Sequence, residues 1–150
     1  MNTEDKRIKL LIVDDTDYFR QFLKTIFRHF VGLDDKLEIE EAENGEKALE
    51  KVFEFNPEII ITDLMMPKMN GIEFLNILRK TDTKYRERLI LICSAIEYDR
   101  TILNSLKTLE INVDNNYIDK AHDLYNFRNK IEKLLIKLFA NKEREKLNEK

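Results

Sequence analysis

The stretch that decides the fold is Glu58–Gly71, EIIITDLMMPKMNG. Three isoleucines and a threonine run straight into Asp63, and Met65-Met66-Pro67 then turns the chain away. The run reads as a buried apolar strand. Ending it in a carboxylate is costly unless another group pairs with the charge. The rest of the chain has to supply that partner.

Outward from this strand, apolar runs alternate with amphipathic helical stretches. RIKLLIVDD (Arg7–Asp15) is a strand ending in acids. Phe19, Phe22, Leu23, Ile26, Phe27 and Phe30 follow at helical spacing. KLEIEEAEN alternates Leu37 and Ile39 with Glu38 and Glu40, an edge strand whose charges discourage further pairing. Asn44-Gly45 starts a helix carrying Ala48, Leu49 and Val52 inward, which stops before Pro57. Glu58–Thr62 is the third strand and Gly71–Arg79 a short helix. RLILICSA is the fourth strand, followed by a helix with Tyr98, Ile102, Leu106 and Leu109 on one face. NNYIDK is a short fifth strand, and a last helix carries Leu124, Phe127, Ile131, Leu134, Leu135 and Leu138. Continuous apolar strands separated by helices mark a parallel sheet covered on both faces. We therefore expect an α/β, doubly wound, five-stranded parallel sheet.

Composition agrees with one domain. The 150 residues suffice for a single core, and 43% hydrophobic with 37% charged is ordinary for a globular protein. Three glycines and two prolines are too few for an all-β fold. The polar N-terminus MNTEDKRIK is no signal peptide, and no apolar run is long enough for a bilayer. A single cysteine, Cys93, suits a reducing cytosol, so a cytoplasmic location is expected. A net charge of −3 gives no reason to expect nucleic-acid binding. The expected organisation is a polar segment over 1–8, a domain over 9–139 and a polar helical extension or tail over 140–150.

Ligands of open parallel sheets bind beyond the carboxyl ends of the strands. Those ends carry Asp14 and Asp15, Asp63, Ser94 and Lys120. Two carboxylates about 4 Å apart repel by roughly 4 kcal/mol at an effective dielectric near 20. Lys120 offsets one charge, and a hard divalent cation on oxygen ligands offsets the rest. Mg²⁺ fits this donor set and bridges to phosphates. Phosphoryl transfer to an aspartate is the chemistry such a pocket suits. No glycine-rich phosphate loop is present.

LLIVDDT, IIITDLMMPKMNG, LICSA and YIDK, in this order, resemble the response-regulator receiver domain, the CheY-like phosphoacceptor of two-component signalling. The likeness runs from about Lys9 to Leu138. It implies the flavodoxin-like (βα)5 fold with strand order 2-1-3-4-5. It makes Asp63 the phosphoacceptor and Asp15 a direct Mg²⁺ ligand. Asp14 would act through a metal-bound water, and the Met65 backbone carbonyl would complete the protein ligands. Lys120 would hold a phosphoryl oxygen, while Ser94 and Tyr117 take the switch positions. The implied partners are a histidine kinase or phosphotransfer protein and a downstream protein bound on the face of the fourth helix, fifth strand and last helix. The implied assembly is a monomer or a phosphorylation-dependent dimer.

Three departures stand out. Ala121 replaces the proline that usually follows the lysine, so we expect either a trans bond with a shifted loop or a strained cis bond. The span from Ser94 to Tyr117 is longer than usual by about one helical turn. There LEINVDNN lacks the usual Gly-Ala, and Asn112 is expected to supply a left-handed cap. Beyond Phe139, NKEREKLNEK has no apolar face and is expected to be a solvated or frayed helix, or a linker to an output domain.

Plainer readings exist for each residue. Asp14 and Asp15 suit a helix N-terminus, Ser94 a strand end and Tyr117 the core. Met65, Met66 and Met69 read as loop packing, Cys93 as a buried inert thiol, and His29 and His122 as solvated without partners. Arg128, Lys130, Lys133 and Lys137 read as an exposed helix face. A phosphate-independent interaction module, the receiver of a larger output protein and an aspartyl phosphohydrolase are the competing functions; the last lacks a general acid.

Overall fold

The computed structural model describes residues 7–29 and 34–149. Residues 1–6 of the polar segment expected over 1–8, Phe30 and Lys150 lie outside the described residues, as does the side chain of Leu124, while Ile8 already belongs to the first strand. Five parallel strands, β1 (Ile8–Val13), β2 (Leu37–Ala42), β3 (Ile59–Thr62), β4 (Leu89–Ser94) and β5 (Tyr117–Asp119), are ordered β2-β1-β3-β4-β5. This is the doubly wound sheet expected from the apolar runs.

Alternation along the strands divides the core into two layers. Leu11, Val13, Ile60, Ile90 and Ile92 face helices α2 (Gly45–Phe55), α3 (Gly71–Thr81) and α4 (Arg100–Thr108), where Val52, Phe74, Leu78 and Leu106 meet them. Leu10, Ile12, Ile59, Ile61 and Leu91 face α1 (Asp17–Arg28) and the last helix through Leu23, Phe27, Phe127 and Ile131. β2 is an edge strand, and its Glu40 and Glu41 pair with Lys51 and Arg20 on flanking helices. Those pairs keep the edge charged and closed to another strand.

Asn44 caps α2 as expected, accepting from the Lys47 N–H at 2.9 Å. The left-handed cap of α4 is not where the sequence placed it. Glu110 takes φ 63°, while Asn112 is extended at φ −81°. The Ile111 N–H reaches the Leu106 carbonyl at 2.9 Å and the Glu110 N–H reaches Lys107 at 3.0 Å, with Leu106 and Ile111 both buried. That pattern is a Schellman motif built on a glutamate. Asn112 instead caps a one-turn helix, α5 (Val113–Asn116), through the Asp114 N–H. Asn115 and Asn116, read as strand, belong to this turn, which lies within the lengthened span before β5.

Tyr98, expected on the face of α4, precedes that helix, and its ring meets Tyr117 edge-on at 4.8 Å. No cis peptide bond occurs among the described residues, so Lys120–Ala121 is trans. The last helix, α6 (Leu124–Asn148), continues unbroken through the expected boundary at 139/140. Its polar end is tied back to the sheet by an ion pair from Lys142 to Glu58, just before β3. Among the described residues, no helix is long and apolar enough to cross a membrane.

Candidate functional site

β1 and β3 end side by side, and their registers bring Asp14 and Asp63 together. The Asp63 N–H donates to the Val13 carbonyl at 2.9 Å, and the Asp14 N–H to Ala42 at 3.1 Å. Asp14 and Asp63 are 1% and 6% exposed, so both acids sit where an unpaired charge is costly. One oxygen from each of Asp14, Asp15 and Asp63 lies within 4.8 Å of the others. Among the described residues, this is the group of acids placed to share a cation.

Lys120 is the partner that the buried strand end required. Its Nζ donates to Asp63 Oδ2 at 2.8 Å and to Asp14 Oδ2. The β5 end is held by the Lys120 N–H on the Ser94 carbonyl at 2.9 Å. Asp63 Oδ1 is fixed by the N–H groups of Leu64 at 2.7 Å and Met65 at 3.2 Å, which turns Oδ2 toward Lys120. Asp14 Oδ1 accepts from the Thr16 N–H at 2.9 Å.

Burial raises the Asp14 carboxyl above the usual carboxylate range. The Lys120 hydrogen bond, the Thr16 N–H and the Lys120 charge oppose this without cancelling it. Burial also disfavours the Lys120 ammonium, yet its bonds to Asp14 and Asp63 and their charges outweigh that, leaving it raised. One ammonium thus faces three acids. An all-oxygen donor set with surplus negative charge fits a hard divalent cation such as Mg²⁺.

Ser94 is fully buried; its Oγ lies 3.4 Å from the Ile96 N–H and beside the Tyr117 hydroxyl. Tyr117 is 5% exposed and donates to the Ile96 carbonyl. Burial pushes its phenol up to about 12 against the Ser94 hydrogen bond, with the Asp119 and Asp63 charges adding to the rise. The hydroxyl therefore stays a donor at neutral pH.

Some of the smaller expectations change. Met66 and Met69 pack into the core as loop packing predicts, but Met65 is 63% exposed. Cys93 is buried, and burial pushes its thiol well up, as an inert thiol requires. His29 is exposed, as expected. His122 is exposed but not partnerless: its Nδ1 lies 2.9 Å from Asp119 Oδ2. That hydrogen bond, then the Asp119 charge, raises the imidazole.

Two site neighbours escaped sequence reading. Phe19, placed there only on the apolar stripe of α1, holds its ring 4.1 Å from Lys120 Nζ, a cation–π contact. Arg20 donates to the Asp14 carbonyl at 2.7 Å while its Nε meets Glu41 at 3.2 Å. Their helical spacing from Asp15 offered no sign of either contact.

The fold and this cluster of acids around one lysine define a phosphoacceptor-type α/β signalling domain. Residues 10–132 match the family model described as response regulator receiver domain, and the chain belongs to that family. It is 33% identical over 100 residues to the chemotaxis protein CheY of Listeria monocytogenes serovar 1/2a, covering 67% of this chain and 78% of that protein. Among solved structures it resembles chemotaxis protein CheY4 of Vibrio cholerae, with a TM-score of 0.69 and 25% identity, covering 87% of this chain and 98% of that one. It also resembles the response regulator domain of Thermotoga maritima CheB, with a TM-score of 0.67 and 27% identity, covering 90% and 96%. Two-component signalling through a receiver domain is thereby shown for the chain.

Proposed function

We propose that the chain is a phosphorylation-controlled switch whose phosphoacceptor is Asp63. The observation that carries this reading is Asp63 Oδ2 held 2.8 Å from Lys120, beside Asp14 and Asp15. A carboxylate oxygen of Asp63 attacks the donor phosphorus. The new P–O bond forms as the bond to the leaving group breaks, and the leaving group departs with the electron pair. Lys120 then shifts from Asp63 to a phosphoryl oxygen. Asp14, Asp15, Asp63 and the Met65 carbonyl would hold Mg²⁺, which when bound neutralises charge on the transferring group. The donor is a histidine kinase or phosphotransfer protein, and we place the switch in the cytoplasm.

The response follows from the contacts around Ser94. Phosphorylation adds about −1.5 to −2 charge and new acceptor oxygens. Ser94 donates to one of these and leaves the Tyr117 hydroxyl, which its side chain adjoins. Because Tyr117 also holds the Ile96 carbonyl and meets the Tyr98 ring edge-on, the face of α4, β5 and α6 repacks. A difference of a few kcal/mol between the two arrangements suffices for a population shift. The domain proposed over 9–139 forms the switch, and the part of α6 beyond it, to Asn148, is its helical extension.

Incubating the protein with Mg²⁺ and acetyl phosphate adds the mass of one phosphoryl group, and Asp63→Asn does not gain it. A folded wild type with no mass gain overturns the reading. The phosphoryl group is also expected to be long-lived. Met65 and Ile96, two residues beyond Asp63 and Ser94, bring no acid, amide or base to the path of an attacking water. Following the phosphorylated mass over time at neutral pH should show decay slower than minutes; loss within seconds contradicts this.

A further inference from the structure

We propose that Asp119 is a positioning residue for Lys120: its carboxylate clasps the turn after β5 and so aims the ammonium at Asp63 and Asp14. Its role in phosphoryl transfer rests on Asp63 being the phosphoacceptor. Of the strand ends that build the site, the one carrying Lys120 is the least supported. β1 and β3, which deliver Asp14 and Asp63, each have a strand on either side, whereas β5 lies at the edge and is three residues long. Its ladder to β4 ends at the Ser94–Asp119 pair, after which the Lys120 N–H reaches the Ser94 carbonyl at 2.9 Å. A lysine stem has much rotamer freedom to lose, so its aim depends on a fixed backbone beneath it.

The next residue is Ala121. A proline there would fix φ but offer no N–H; alanine leaves φ free and supplies a donor. Asp119 takes up that donor. Its Oδ1 accepts from the Ala121 N–H at 2.7 Å and the His122 N–H at 3.3 Å, and its Oδ2 lies 2.9 Å from His122 Nδ1. The Asp119 carbonyl accepts from the Asp123 N–H at 2.8 Å, and the Asp123 carboxylate accepts from Lys130 of α6 at 3.1 Å. The three residues after Lys120 are thereby tied to the one before it, which restrains the chain on both sides of the lysine Cα. The His122 hydrogen bond, then the Ala121 N–H, hold the Asp119 carboxyl below its ordinary value. It is therefore an anion at neutral pH, and charge strengthens its bonds to the turn.

Both Asp119 oxygens are used within the turn, so the residue acts on the reaction through Lys120. The step it serves is the shift of the ammonium from Asp63 Oδ2 to a phosphoryl oxygen. With the turn held, that shift is a small side-chain movement. With the turn loosened, the ammonium swings toward solvent, and the transferring group loses its cation.

The test uses the full chain and four variants. Asp119→Asn keeps an Oδ1 acceptor in place, Asp119→Ala removes it, and Asp119→Glu keeps the charge but carries the acceptor one methylene too far. His122→Ala leaves the Asp119 Oδ1 bond to Ala121 intact. Two quantities are measured at a temperature where each protein is folded: the rate of phosphorylation by acetyl phosphate with Mg²⁺, and the Lys120 ζ-ammonium NMR signal of the unphosphorylated, ¹⁵N-lysine-labelled protein. Asp119→Ala and Asp119→Glu are expected to slow phosphorylation about tenfold and to lose the ammonium signal, whereas Asp119→Asn and His122→Ala stay within about threefold of wild type and keep it. Wild-type rates in Asp119→Ala and Asp119→Glu overturn the proposal, as does a slowed rate with the Lys120 signal intact. Equal damage from Asp119→Asn overturns it in favour of charge alone, and equal damage from His122→Ala transfers the role to the imidazole. A wild type that takes no phosphoryl group refutes the reading of Asp63 instead; the ammonium signal then decides the clasp, its survival in Asp119→Ala counting against and its loss in favour.

Discussion

Lys120→Met lowers the melting midpoint of the metal-free protein by roughly 6–12 °C, the equivalent of about 3 kcal/mol for a domain of this size. The lysine side chain is 14% exposed, and its ammonium is shared by two carboxylates that are 2% and 8% exposed. Methionine keeps most of the stem and can still lie against Phe19, so packing changes little. What disappears is the positive charge. Asp14 and Asp63 are then left buried against each other, and removing one partner from a buried ion pair is far more damaging than the pair is stabilising. Added Mg²⁺ restores part of the midpoint, because a cation that binds only the folded state stabilises it by mass action. A metal-free midpoint within a degree or two of wild type refutes the role given to Lys120.

The pH dependence has a definite sign. Lys120 is raised in the folded state, so its contribution is complete below the usual lysine value of 10.5 and is lost as pH rises through the folded value. Asp14 is raised from 3.8, so the stability it contributes is present in acid and lost as pH rises through its folded value. At neutral pH the Asp14 carboxylate is therefore a net penalty that Lys120 offsets. The gap in midpoint between wild type and Lys120→Met should narrow toward low pH, where the Asp14 carboxyl is neutral. Melting curves from acid to alkaline pH measure this directly.

The convergence of Asp14, Asp15, Asp63, Ser94 and Lys120 was legible because it follows from topology. In a parallel sheet every strand delivers its last residue to the same end, so apolar runs alone place these groups together. The core was legible for the same reason: Ile60 and Ile61 must face opposite layers. Contacts set by rotamer and helix phase were not. Phe19 looked like any core residue of α1, since nothing local to it reveals Lys120, 101 positions away. The Lys142–Glu58 tie of the polar extension was hidden by similar separation. Asn112 was misread because asparagine suits both a left-handed residue and an N-cap. The one-turn helix took it as a cap, leaving Glu110 in the left-handed position. Its carboxylate there meets Arg86 at 3.0 and 3.2 Å, which helps to offset the strain of that backbone.

The second large effect comes from a residue with no side chain. Gly71 opens α3 and packs its Cα against the turn that carries Asp63, with its N–H on the Leu64 carbonyl at 2.9 Å. A Cβ added there would lie 2.1 Å from the Asp63 carbonyl oxygen and 2.9 Å from Leu64 Cα. Both are backbone atoms, so no rotamer change can relieve the overlap. The chain must move, and the part that moves is the turn whose N–H groups fix Asp63 Oδ1. Gly71→Ala should therefore cost about 3 kcal/mol, the upper part of the range for overpacking. It should also slow phosphorylation by acetyl phosphate at least tenfold even at temperatures where the variant is folded, because Oδ2 loses its aim at Lys120. Denaturant unfolding measures the first effect and single-turnover phosphorylation the second. A stable variant that phosphorylates at the wild-type rate would show that the turn tolerates displacement and that the fit between α3 and the end of β3 does not position the acceptor.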